Sequence, residues 1–166
     1  MKLAKRTARL GLAVYLLAAP ASAADDVILE RLVTCHDSWI DWRTTNDPQM
    51  AQFAAQLSAN YTQNNPGDPY MVPRDTATIA GARVLQVYPE SVGMGVGFSV
   101  MLAVPFDKAK TLFAQKLGKP LTHCETSDGM KSCDLQVADK RTFMITANDR
   151  PGESKTLVGC FYYYEK

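Results

Sequence analysis

Two dipeptides carry both histidines of the chain and two of its four cysteines: Cys35-His36 and His123-Cys124. Thiolate and imidazole are the ordinary ligands of a structural zinc ion, and together these groups would make up a Cys2His2 set. Their placement argues against it. Neighbouring side chains on a strand point to opposite faces, and neighbours on a helix diverge by about 100°, so neither dipeptide can aim both groups at one ion. The run Cys35-His36-Asp37 fails as a nucleophile triad for the same reason, because triad members must converge in space. A thioredoxin-like redox site needs C-x-x-C, and the spacing from Cys124 to Cys133 is far wider. Carboxylates such as Glu30, Asp37, Asp41 and Glu125 could form an acid pair for hydrolysis, but nothing in their spacing brings two together. No metal, no cofactor and no catalytic residue is therefore expected.

The sulfurs have a plainer use. An even cysteine count in an exported chain reads as disulfides. Asp128-Gly129 is a two-residue hairpin turn of type I′, in which both central residues take positive φ. Centred there, the hairpin pairs Ser127 with Met130, Thr126 with Lys131, Glu125 with Ser132, and Cys124 with Cys133. The cysteine pair falls at a non-hydrogen-bonded position, where α-carbons lie about 4.5 Å apart, within disulfide reach. Cys35 and Cys160 are left for each other. That bond would tie a helix near the start of the chain to its last strand.

The export signal is at the beginning. Lys2, Lys5, Arg6 and Arg9 precede a short apolar run, Leu10 to Ala19, and an Ala21-Ser22-Ala23 cleavage site. This is the pattern of a secretory signal peptide, residues 1–23, with a run too short to span a bilayer. No cysteine follows the site to take a lipid anchor, and no later segment reads as a membrane span. The expected mature protein is a single domain, residues 24–166, periplasmic or secreted. Of the 18 basic residues the signal removes those four, while all 17 acidic ones stay. The acidic excess that results excludes nucleic acid as a natural partner.

The elements that must hold these groups follow from periodicity. Ile28, Leu32, Cys35, Trp39 and Trp42 share one face of a helix over 26–43. Asp47-Pro48 opens a second helix with Met50, Phe53, Ala54, Leu57 and Tyr61 inward. The stretch 66–76 has three prolines and no period, which reads as a long loop. Strands are expected at 79–88 and 94–104. In the latter, Met94, Val96, Phe98, Val100, Leu102 and Val104 alternate with Gly95, Gly97, Ser99, Met101 and Ala103. The small-residue face permits close approach by a helix, a ligand or another backbone. A helix over 105–117 stops at Gly118 and Pro120. The hairpin and strands at 141–146 and 155–164 complete an α+β fold. It is an antiparallel sheet of about six strands, with about three helices packed on it and two disulfides. The order over 105–164 is similar, at the level of architecture alone, to small exported inhibitor and assembly-factor domains.

These features describe an exported, disulfide-stapled binding protein of the cell envelope, engaging or inhibiting a protein partner. Contact residues would come from the Pro-rich loop (Tyr70, Met71, Arg74) and from the final strand. There Phe161 and Tyr163 face away from Cys160, toward an interface or a second packing layer. Two other functions compete. One is a small-molecule carrier, with a pocket between sheet and helices lined by Gly95, Gly97 and Ser99. The other is a small hydrolase without a recognisable motif.

Overall fold

The computed structural model describes residues 26–39, 48–89 and 96–162. The stretch expected to be a signal peptide (1–23), Trp42, Asp47 (the expected cap), Gly95 and Tyr163 lie outside them. Along the chain come α1 (Val27–Val33), α2 (Pro48–Asn60), β1 (Tyr61–Thr62), β2 (Val72–Pro73), β3 (Thr78–Ile79), β4 (Ala82–Tyr88) and β5 (Val96–Leu102). There follow α3 (Phe106–Leu117), β6 (His123–Ser127), β7 (Met130–Ala138), β8 (Arg141–Asn148) and β9 (Thr156–Tyr162). The fold is α+β. A seven-stranded antiparallel sheet has the order β3-β4-β5-β9-β8-β7-β6, and β1 and β2 form a separate pair.

The alternation read in β5 sets the core. Phe98, Val100 and Leu102 are fully buried, as are Phe143 and Ile145 of β8 and Val158 and Cys160 of β9. They meet Leu29, Leu32 and Val33 of α1 and Ala109 and Phe113 of α3, with the Phe113 and Phe143 rings 5.4 Å apart. Each of these Leu, Ile, Val and Phe side chains contributes about 2 kcal/mol through removal from water. A register shift between Val84 and Gln86 lets both Val84 and Val87 of β4 point inward. The interior between sheet and helices is thus occupied by side chains.

Three local features differ from the sequence expectation. The first helix ends at Val33, well short of 43. The Thr34 hydroxyl donates to Glu30 O at 2.7 Å, the His36 and Asp37 amides both turn back to Arg31 O, and Arg31 holds Asp37 by two bonds of 2.6 and 2.7 Å. Cys35 itself takes a left-handed conformation, φ 61. Trp39 is still buried, with its ring 5.3 Å from Phe98, but on irregular chain. The expected strand 79–88 is two strands, because Ala80-Gly81 forms a turn with φ 51 and 73 that pairs Ile79 with Ala82. The Pro-rich loop is partly structured: Val72 and Pro73 pair with Thr62 and Tyr61.

Asp26 joins the start of the domain to this region. Its side chain accepts from the Leu29 amide at 3.1 Å, capping α1, and from the Tyr61 hydroxyl at 2.8 Å. Its own amide donates to Thr78 O at 2.7 Å, covering the β3 edge. Burial and then the Asp26 carboxylate push the Tyr61 phenol well above its ordinary range. A raised phenol contributes stability fully below about pH 10, and that contribution falls as pH rises further. Asp26→Ala is expected to cost about 2 kcal/mol at neutral pH, since it removes a cap and a buried acceptor together. Tyr61→Phe should cost about half as much. Urea denaturation checks both, and unchanged midpoints would contradict the role given to Asp26.

Candidate functional site

The four cysteines are paired as their spacing implies. Cys35–Cys160 has α-carbons 5.1 Å apart across 125 residues, and Cys124–Cys133 has them 4.1 Å apart across nine. The hairpin register is the one set by Asp128-Gly129, with φ 50 and 72 at the turn. Cys35 O also accepts from Arg141 at 3.1 Å. Tyr162 donates to Asp37 O and accepts from the Trp39 amide, and Trp39 Nε1 donates to Pro89 O. The segment after α1 is therefore fixed to β9 by sulfur and by hydrogen bonds.

The proposed contact residues separate into different environments. Tyr70 is half-buried and packs its ring on Tyr88 at 5.7 Å, while the Tyr88 hydroxyl donates to Gln86 at 2.7 Å. Burial, then the neighbouring Tyr70, raises the Tyr88 phenol. Met71 exchanges both backbone hydrogen bonds with Val87 at 2.8 Å and packs against the core, so it attaches the loop to β4. Arg74 is exposed, with its amide held by Asn60 O at 2.9 Å. Phe161 faces away from Cys160, as alternation requires. It is only 5 % exposed, however, which takes it off the accessible surface and makes it a packing residue. Tyr163 lies outside the described residues.

Among the described residues no cluster of three His, Cys, Asp or Glu could hold a metal ion. His36 is exposed. His123 does meet a carboxylate, with Nδ1 2.8 Å from Asp134 Oδ2, but its side chain is 80 % exposed on the surface of the hairpin. A cleft of about 460 Å³ lies between the ends of α1 and α2, lined by Asp26, Gln56, Tyr61 and Asp75. Gln56 Oε1 is buried there, with no hydrogen-bond partner among the described residues. Gly97 and Ser99 do not line a space under the helices. They lie on the opposite face of the sheet, where a Cβ on Gly97 would come 2.1 Å from Cys160 O.

The two edges of the sheet differ. On one side, β3 and β4 are covered by Asp26 and Met71. On the other, among the described residues β6 has only β7 as a neighbour, and all five of its residues are exposed. Hydrogen-bonded and non-hydrogen-bonded pairs alternate from the turn. Ser127, Glu125 and His123 therefore bond inward, and Cys124 and Thr126 turn their N–H and C=O groups outward. The short α-carbon distance at Cys124–Cys133 fits this assignment. Beside the edge runs an open groove of about 610 Å³ lined by Lys110, Thr111, Ala114, Gln115, Lys119 and Leu121. Lys110 Nζ is 3.3 Å from Cys124 Sγ. Lys116 and Lys131 have carboxylate partners at 2.9 and 2.8 Å; among the described residues Lys110 and Lys119 have none within ion-pair distance.

The edge and its lysines were not singled out from the sequence, since strand order is a tertiary property. A usable signal was present: Lys110 and Lys119 flank a helix stop leading into a short polar strand without proline. Among the described residues no helix is long and apolar enough to cross a membrane. Comparison with protein-family models, with curated proteins and with solved structures gives no match.

Proposed function

We propose that the chain is an exported binding protein of the cell envelope, released by cleavage near Ala23, that engages a protein partner. The observation carrying this reading is the open edge of β6: a fully exposed, cross-linked strand beside a scaffold whose interior is filled. Two disulfides fit an oxidising compartment. A rigid element loses little conformational freedom on binding, which favours affinity from modest contact area. The filled space between sheet and helices speaks against the carrier. The His123–Asp134 pair, exposed on the hairpin surface, speaks against the hydrolase.

The test is chemical cross-linking of the tagged protein in its native envelope, followed by rebinding. One protein should be retained in stoichiometric amount, and that protein, once purified, should bind saturably to the purified chain. A co-purifying small compound with no retained protein would favour the carrier and overturn the proposal.

A further inference from the structure

Resting on the binding-protein reading, we infer that the outer edge of β6 takes an extended segment of the partner as an eighth strand, and that this segment carries a carboxylate opposite Cys124. Strand addition needs outward backbone groups on an accessible, ordered edge. Cys124 and Thr126 supply two donors and two acceptors, and the Cys124–Cys133 bond keeps the hairpin in register. Of the common protections of an edge, this strand lacks lysine, proline and a bulge against β7, and keeps the charge of Glu125.

Charge selects the occupant. A residue paired with Cys124 puts its side chain on the same face as the Cys124 sulfur. There it meets the Lys110 ammonium, with Lys119 further along the same groove. A carboxylate at that position satisfies a cation that has no acidic partner among the described residues. A second copy of the chain is disfavoured in two of its registers, and the sedimentation arm below tests self-pairing in any other. The two-fold register centred on Glu125 overlaps all five residues and sets two Glu125 carboxylates opposite each other. The register centred on Cys124 brings two Lys110 ammonium groups together. Like charges so placed are destabilising.

The experiment is an amide NMR titration of the full oxidised domain with two capped nine-residue peptides of alternating Val and Thr. One has Glu at its centre, and its twin has Lys. The Glu peptide is expected to shift the Cys124 and Thr126 amides, to slow their exchange with solvent, and to bind about fivefold tighter than the Lys twin. Lys110→Glu should reverse that preference while the cross-strand contacts of β6 with β7 are kept. Thr126→Pro, at an outward N–H where proline is tolerated, should abolish binding. The proposal is overturned if neither peptide moves these amides, if the shifts centre elsewhere, or if the two peptides bind equally. Sedimentation showing a dimer that Thr126→Pro dissolves would overturn it in favour of self-pairing. A partner retained equally by wild type and Thr126→Pro would overturn the edge while leaving the binding-protein reading in place.

Discussion

Replacing Cys35 and Cys160 together by serine is expected to lower stability by about 5 kcal/mol, against about 2.7 kcal/mol for the Cys124 and Cys133 pair. The difference follows from loop length: one bond closes 125 residues and the other nine. In the chain-entropy description the longer closure removes more freedom from the unfolded chain. Burial adds to the asymmetry. Cys35 and Cys160 both lie in the core, so two serine hydroxyls would have to be accommodated there, whereas Cys124 is exposed. Guanidinium unfolding of the oxidised variants measures both losses. Equal losses would contradict the ranking. Thiol titration of the denatured wild type without reductant should find no free thiol, consistent with the two bonds present.

Gly97→Ala should be more damaging than its one added carbon implies, costing about 3 kcal/mol or preventing folding. A Cβ at Gly97 would sit 2.1 Å from Cys160 O and 3.0 Å from Phe161 Cα, both backbone atoms of the paired strand. They cannot move without breaking the β5–β9 ladder that carries the core. Gly159→Ala meets Ser99 Cβ at 2.5 Å and Phe98 O at 2.6 Å, and should be nearly as costly. Gly118→Ala is the control. Its φ of 63 is left-handed but the space around it is open, so about 1–2 kcal/mol is expected. Thermal unfolding of the three variants decides. If Gly97→Ala behaved like Gly118→Ala, close strand approach would not be the reason for this glycine.

That result also bears on what could be read from residues alone. The alternation of small and large side chains in 94–104 identified a face where something approaches closely. It could not say that the neighbour is a strand, because pairing between residues 97 and 161 is a tertiary fact. The hairpin was legible in full, since Asp128-Gly129 fixes the turn, the turn fixes the register, and the register brings Cys124 to Cys133. Elimination then paired Cys35 with Cys160. Local periodicity overran the first helix because Cys35 and Trp39 continue its apolar stripe. What ends it is the left-handed Cys35 and the Arg31–Asp37 clamp, which serve the disulfide. Phe161 was oriented correctly, away from Cys160, but its burial depends on packing that alternation does not describe. The Pro-rich loop was recognisable by composition, whereas the attachment of Met71 to Val87 was not. The open edge at β6 was the least legible feature, because no residue pattern states which strand comes last in a sheet.

The central claim is that a disulfide-locked scaffold works by contact through one exposed strand. Site-specific photo-cross-linking from position 126 in whole cells, with position 155, exposed at the end of the loop before β9, as control, tests it most directly. The account predicts one adduct of discrete mass from 126 and none from 155. No adduct from 126, whether or not positions 70 and 74 of the Pro-rich loop give one, would contradict it.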